Sequence, residues 1–475
     1  MPTFTIENFG CRATEADASA LRGQLLSSGL ALADDHAVAD WVVLNTCTVT
    51  AAADSQARDA VRRIHRANPA ARIIVTGCYA QRAPEEIATL EGVAWVVGNT
   101  HQSAIRKLIP EQRDFVPAES LAADSMSLAR GPAKILTGDI FAEDAGMRMA
   151  GAERTVADRT RPILKIQDGC NNRCSYCVIP FVRGRSRSLS PDLVVDEVRS
   201  LVEAGIREVV LSGINLGSYG RDLSPASSLA SAVRQILEET NLERLRFSSI
   251  EPQDVTEDFV SLVAQSGRIA PHFHIPLQSG SDRILRAMHR WYRTAHYAAR
   301  AELIRRLIPD AAIGTDVIAG FPSETQEDFD ATSEFIDRLP FTYLHVFSFS
   351  PRPGTKAETL GSPVQPALIR DRARSLRALA QRKSEAFRAS QRGVSHRALT
   401  LARYGDNWTE GLTGNYLKVR IAGRIPPNQW RDVNMDMDFQ PEPAGGEISE
   451  IAAQSRNLAF ENHLGQGEVA AVGDR

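Results

Sequence analysis

The stretch Lys165-Ile166-Gln167-Asp168-Gly169-Cys170-Asn171-Asn172-Arg173-Cys174-Ser175-Tyr176-Cys177 decides how the chain is read. It begins inside a strand-like run, Ile163–Gln167, and ends in a C-x3-C-x2-C loop. Three thiolates on one tight loop hold three irons of a cubane [4Fe–4S] cluster and leave the fourth iron open to a cofactor or substrate. Zinc would want four ligands, usually as two separated pairs, and no nearby His completes such a set.

Downstream of the loop, the strand-like runs Glu208–Ser212, Arg244–Ser248, His272–Pro276, Ile313–Ile318 and Tyr343–Phe349 alternate with helical patterns. Six strand–helix units in a row predict an α/β domain built as a partial (β/α)6 barrel. An open doubly wound sheet is the alternative that periodicity leaves standing. Beyond the barrel, a long helix from Pro366 to Gln391 carries Arg370, Arg372, Arg374, Arg377, Arg382, Lys383 and Arg388. Such a row is either a phosphate-binding face or a solvated face with ion pairs. After Gly393 the pattern turns to short β-like runs, Ala398–Tyr404 and Tyr416–Ile421, which predict a small all-β barrel.

Upstream, the first hundred residues alternate strands and helices, which predicts an open parallel sheet with helices on its faces. Cys11 follows the strand Phe4–Asn8, Cys47 lies two residues past Trp41–Asn45, and Cys78 two past Arg72–Thr76. Each cysteine therefore sits just beyond the carboxyl end of a parallel strand, the edge where open α/β sheets bind ligands. That edge brings three sequence-distant thiols to one point, fit for a second [4Fe–4S] cluster; the bland alternative is three separate core thiols. All six cysteines of the chain fall into these two groups of three, and disulfides, which form in pairs, suit that grouping poorly.

The 475 residues, 43% hydrophobic and 24% charged, suit a soluble protein of about three domains. The expected boundaries are 1–110 for the N-terminal domain, 111–160 for an unpatterned linker, 161–392 for the barrel, 393–450 for the β-module and 451–475 for a tail. The formal net charge of -3 means that any RNA partner is held by local basic patches. A signal peptide's basic flank and apolar core are absent and no run approaches the roughly 20 apolar residues of a membrane span, so a cytoplasmic enzyme without a membrane partner is expected.

At these residues the chain resembles the radical S-adenosylmethionine methylthiotransferases. Cys170, Cys174 and Cys177 match the radical S-adenosylmethionine signature, and Val178-Ile179-Pro180, Arg183-Gly184, Leu211-Ser212-Gly213-Ile214-Asn215, His274–Ser281 and Gly314–Pro322 look like that family's barrel. Phe9-Gly10-Cys11, Asn45-Thr46-Cys47 and Thr76-Gly77-Cys78 resemble its N-terminal domain, and Gly411–Tyr416 resembles the RNA-binding TRAM module. Within the family, Asn45-Thr46-Cys47-Thr48-Val49-Thr50 with Ala53-Asp54, and Asn171-Asn172, look like the branch acting on threonylcarbamoyl-adenosine in tRNA. Arg12-Ala13-Thr14 departs from that branch, which more often has a lysine and an asparagine there.

The resemblance implies S-adenosylmethionine chelated on the open iron of the Cys170/Cys174/Cys177 cluster, and sulfur supplied at the Cys11/Cys47/Cys78 cluster. It implies a methylthio group added at C2 of the modified adenine beside the anticodon. It places Tyr176 beside the cofactor's adenine, with loop packing as the alternative. Ser212, Gly213, Asn215 and Gln278 lie at strand ends where barrel sites form, so they are candidate cofactor contacts. Arg183, Arg185 and Arg382 are candidate RNA contacts, with the anticodon stem-loop of tRNA as partner, no DNA, and an electron donor such as a flavodoxin or ferredoxin. The rival readings are isopentenyl-adenosine in tRNA as substrate, an aspartate of a ribosomal protein, and a non-catalytic iron–sulfur RNA-binding protein.

Overall fold

The computed structural model describes residues 2–109, 133–142 and 160–435. Most of the expected linker, the end of the expected β-module and the whole tail 451–475 lie outside the described residues.

In the N-terminal sheet, β1 (Thr3–Asn8), β2 (Ala31–Leu32), β3 (Trp41–Thr46), β4 (Arg72–Gly77), β5 (Val93–Val97) and β6 (Lys134–Leu136) run in the order β2-β1-β3-β4-β5-β6. Every pair is parallel. Strand side chains alternate between faces, and here both faces are covered, so β3 and β4 read as unbroken apolar runs. Val42, Leu44, Ile73 and Val75 pack with the helix Ala51–Ala67, while Trp41, Val43 and Ile74 pack with Leu21 and Leu25 of the helix Arg12–Ser27. Thr50 caps Ala51–Ala67 by accepting the Ala53 N–H at 3.2 Å. β6 lies inside the stretch expected to be an unpatterned linker; its three residues complete the sheet on β5.

The central domain carries β7 (Ile163–Asp168), β8 (Arg187–Ser188), β9 (Glu208–Gly213), β10 (Arg244–Phe247), β11 (His272–His274), β12 (Ala312–Ala319) and β13 (Tyr343–Ser348). β7, β9 and β10 pair in parallel, as do β11, β12 and β13. Parallel bridges Leu245↔Ile269 and Ser249↔His274 join the two sets. The six long-axis strands thus follow chain order, with β8 antiparallel on the outer edge of β7. A doubly wound sheet would reverse its order part-way; this one does not, and the partial barrel stands.

The helix Pro366–Ser390 buries Ala373, Leu376 and Leu379 in the barrel's outer core. β14 (Ser395–Gly405), β15 (Trp408–Thr413), β16 (Lys418–Ala422) and β17 (Trp430–Asn434) then form an antiparallel sheet in the order β16-β15-β14-β17. Two barrel arginines hold it. Arg246, 0% exposed, donates to the Thr413 and Gly414 carbonyls at 3.0 Å each and pairs with buried Glu208 at 2.8 Å. Arg244 donates to the Arg397 carbonyl at 2.7 Å.

Candidate active site

The loop after β7 is tied down along its length. The Cys170 N–H donates to the Gly184 carbonyl at 3.0 Å, and the Ser186 N–H to Asn171 Oδ1 at 3.1 Å. Ser175 is gripped from two sides, donating its N–H to the Met288 carbonyl at 3.0 Å and accepting the Ala357 N–H at 2.7 Å. Burial first, then repulsion from the neighbouring cysteine sulfurs, pushes the Cys177 thiol up to about 12; burial pushes Cys170 up to about 11. Thiols crowded and desolvated in this way are poor anions alone, and a bound cation inverts that balance. Arg290 Nη1 lies 3.2 Å from Cys174 Sγ, and the same guanidinium pairs with Glu251.

The spread triad is also brought together. Gly10 has φ +132°, and a Cβ there would fall 2.5 Å from Cys47 Cβ. Gly77 has φ +96°, and a Cβ there would fall 2.4 Å from the Thr46 carbonyl oxygen. Only glycine allows these approaches, and each glycine immediately precedes a cysteine of the triad. Burial, then repulsion from Cys11 and Cys78, holds the Cys47 thiol well above the usual range. Cys78 is raised by burial against the pull of Arg183. The chemistry of both donor sets, three crowded thiols each, fits iron–sulfur ligation.

A buried ionic network joins the two triads. Arg183 lies in the short helix Ile179–Arg183, just after Cys177, yet its Nε donates to Cys78 Sγ at 3.2 Å. Its Nη2 pairs with Asp17 at 2.8 Å and its Nη1 with Asp168 at 3.1 Å. Lys165 bridges the same two carboxylates, at 2.7 Å from Asp168. Burial works against ionisation of Asp168, but Lys165 and Arg183 win and hold its carboxyl well below the usual range. Two cations and two carboxylates cancel, as buried charges must. Arg183 is only 2% exposed, so the expectation of a phosphate contact is corrected: its donors are spent on Asp17, Asp168 and Cys78.

A second clamp uses the residues just after Cys47. Thr48 Oγ1 donates to Asp54 at 2.6 Å and accepts from Arg82 and Arg352, each at 2.8 Å. Arg352, on the loop after β13, also pairs with Asp54. The Ala51 N–H donates to Ser350 Oγ at 3.0 Å.

Of the candidate cofactor contacts, Asn215 lies beside Cys170. The Asn215 N–H donates to Gln167 Oε1 at 2.8 Å, and Asn215 Nδ2 lies 4.0 Å from Cys170 Sγ. Asn215 Oδ1 is buried with no partner among the described residues, an acceptor aimed into the site and fit for a cofactor N–H or O–H. Ser212 is buried at the end of β9, and Gly213 lies against Gln167. Gln278 holds a left-handed φ of 67°, pinned by its N–H on the Asp316 carbonyl and its carbonyl on the Ile318 N–H. Such strain on a non-glycine residue concentrates at functional sites. Tyr176 packs edge-on against Phe321 at 6.5 Å, beside Ile284 and Met288, so loop packing accounts for its position here. On β11, β12 and β13, His274 and exposed His345 both meet Asp316, at 3.0 and 3.1 Å.

Arg185 and Arg382 are exposed, as are Arg370, Arg374 and Arg377. Arg372, counted in the same row, is buried and paired with Glu324 at 2.7 Å. The reading from sequence missed Asp17, Glu251, Arg290 and Arg352. The carboxylate, thiol and hydroxyl partners that place them in the site lie 39 to 304 residues away, so no local pattern marks them.

A parallel barrel with three thiols after its first strand and an unpartnered acceptor beside them defines an enzyme of the radical S-adenosylmethionine class. The radical SAM superfamily profile matches residues 164–336, and that of an uncharacterized protein family, UPF0004, matches residues 3–98. Over 88% of its length the chain is 36% identical to 96% of the threonylcarbamoyladenosine tRNA methylthiotransferase MtaB of Aquifex aeolicus. The protein of that name from Chlamydia pneumoniae is 35% identical over 94% of this chain and 98% of its own. A tRNA-2-methylthio-N(6)-dimethylallyladenosine synthase from Nocardioides sp. is 31% identical over 97% of this chain and 88% of its own. The chain belongs to the tRNA methylthiotransferase family. Among solved structures, the radical S-adenosylmethionine methyltransferase TsrM of Kitasatospora setae, with cobalamin and a [4Fe–4S] cluster bound, shares the fold at TM-score 0.51 and 17% identity, over 75% of this chain and 77% of that one. Among the described residues no helix is long and apolar enough to cross a membrane.

Proposed function

We propose that the enzyme adds a methylthio group to C2 of N6-threonylcarbamoyladenosine beside the anticodon of tRNA, using two [4Fe–4S] clusters. The observation that carries this reading is the pair of cysteine triads linked by one buried network, Asp17–Lys165–Asp168–Arg183, which bonds Cys78 and is built on the strand and helix that flank the Cys170–Cys177 loop. When bound, S-adenosylmethionine on the open iron would supply a 5′-deoxyadenosyl radical after one-electron reduction, the second cluster would supply sulfur, and a second S-adenosylmethionine would supply the methyl group that sulfur carries. The chain's own part is to hold these groups together. Cys170, Cys174 and Cys177 hold the cleaving cluster; Asn215 and Gln278 line the cofactor's place. Cys11, Cys47 and Cys78 hold the sulfur-donating cluster, and Arg183 keeps Cys78 in register with the loop. Arg185 and the exposed row Arg370, Arg374, Arg377 and Arg382 meet tRNA phosphates, with the β14–β17 module beside them.

The threonylcarbamoyl substrate rests on the Thr48 and Asp54 run and on the names of several relatives. Relatives named for dimethylallyladenosine make the alternative substrate concrete. The test is nucleoside analysis after incubating purified, reconstituted enzyme with tRNA that carries or lacks the threonylcarbamoyl group, and with isopentenyl-adenosine tRNA. Methylthiolation of the threonylcarbamoyl substrate alone is expected. Product on the isopentenyl substrate alone would move the enzyme to the other branch.

A further inference from the structure

We propose that the surface around Trp291 is the docking site of a small acidic one-electron carrier protein, of the flavodoxin or ferredoxin kind. This rests on the reading of Cys170, Cys174 and Cys177 as holders of the cluster that cleaves S-adenosylmethionine. That cleavage consumes one electron, which reaches the cluster from outside. The carrier gives up that electron, and the electron breaks the C5′–S bond into methionine and the 5′-deoxyadenosyl radical.

Trp291, at 74%, is the most exposed large apolar side chain among the described residues. A Trp left in water on a folded surface marks a contact face, because aromatic and Arg side chains form the centre of interfaces. Its chain neighbour Arg290 is buried and donates to Cys174 Sγ at 3.2 Å. One peptide bond therefore separates the exposed ring from a residue touching a cluster ligand. Exposed cations stand on the same loops: Arg173 precedes Cys174, Arg286 precedes the Ala287–Met288 carbonyls that hold Ser175, and Lys356, whose Nζ lies 3.3 Å from the His289 ring, precedes the Ala357 that bonds Ser175. Of the nearby acids, Glu251 is paired with Arg290, while Asp282 and Glu358 accept only the neutral N–H groups of Thr294 and Gly354 and so face no cation among the described residues. The exposed cations Arg173, Arg286 and Lys356 outnumber the two carboxylates Asp282 and Glu358, so the face is net basic around an aromatic side chain, complementary to an acidic carrier.

The other polyanion at hand is tRNA. A substrate base has to reach the C5′ radical formed beside the open iron inside the barrel, whereas a carrier needs only the ligand side of the cluster, and Arg290 joins that side to Trp291. The basic rim would steer the encounter, so it acts on association rate and fades with salt.

The experiment measures 5′-deoxyadenosine formation by reconstituted full-length enzyme without tRNA, driven either by reduced flavodoxin or by dithionite. The variants are Trp291→Ala and the double Arg286→Glu/Lys356→Glu, with Trp291→Phe as the conservative control. The flavodoxin-driven rate should fall about tenfold or more in the first two, the low end of what steering contributes, while the dithionite-driven rate and tRNA affinity stay within about twofold. Trp291→Phe should keep most of the flavodoxin-driven rate. Unchanged flavodoxin-driven rates overturn the proposal. So does equal loss with dithionite, which would make the face structural, and so does a loss of tRNA affinity, which would give it to RNA. Nucleoside analysis of the tRNA product is untouched by any of these outcomes, so the substrate reading stands or falls separately.

Discussion

The two cysteine triads solve one chemical problem by opposite means. The Cys170/Cys174/Cys177 set is made by a single loop, whose anchors are its own flanks and two neighbouring turns. The Cys11/Cys47/Cys78 set is made by a sheet, whose strands β1, β3 and β4 deliver one thiol each. Each set is touched by an arginine from outside it, Cys174 by Arg290 and Cys78 by Arg183. The loop set depends on backbone bonds, to its own flank at Gly184 and to the turns at Met288 and Ala357. The sheet set depends on glycines that let strands approach and on charges borrowed from the barrel.

If the two sets are independent centres, the comparison breaks most visibly at the ligands. Cys174→Ala should remove S-adenosylmethionine cleavage down to background, and iron content should fall from about eight to about four per chain. Cys47→Ala should show the same iron loss but keep cleavage and lose methylthio transfer. Equal loss of cleavage in both variants would refute the division. Removing metal with a chelator should abolish both activities and lower the melting temperature, because ligation free energy is folding free energy.

The next largest effect falls on the joint. Arg183→Met leaves Asp17 and Asp168 sharing Lys165 alone, an uncompensated buried charge that costs about 3–5 kcal/mol. Denaturant unfolding should register that loss, and iron at the sheet set should drop before iron at the loop set. Smaller is Arg352→Ala: Arg82 still serves Thr48 and Asp54, so about 1–3 kcal/mol is expected. Smallest is Arg382→Gln, an exposed change with no stability cost. It should lower the salt dependence of tRNA binding by about one phosphate contact's worth of slope. No change in that slope would turn the Pro366–Ser390 row into a plain solvated face.

The loop set was legible because its three ligands lie within eight residues of one another. The sheet set was legible one level up, from strand ends, because strand periodicity survives in β1, β3 and β4. What escaped was burial by partner. Arg183 sits in the run Arg183-Gly184-Arg185-Ser186-Arg187, which reads as a basic surface, but Asp17 lies 166 residues away and pulls it inside. Short strands escaped for another reason. β6 is three residues in a stretch without periodicity, and β15 buries Thr409 and Glu410 through bonds to Gly423 and Arg403 that its polar letters conceal.

The bond from Arg183 to Cys78 spans 105 residues of chain. On the ribosome, at about 5–20 residues per second, the thiol emerges on the order of 5–20 s before its arginine. During that interval the first domain can close its sheet, yet its sulfurs face solvent without Arg183 over them. Vectorial synthesis therefore sets an order of assembly: the early thiols wait for the barrel, and on the proposed assignment iron loading there follows its arrival.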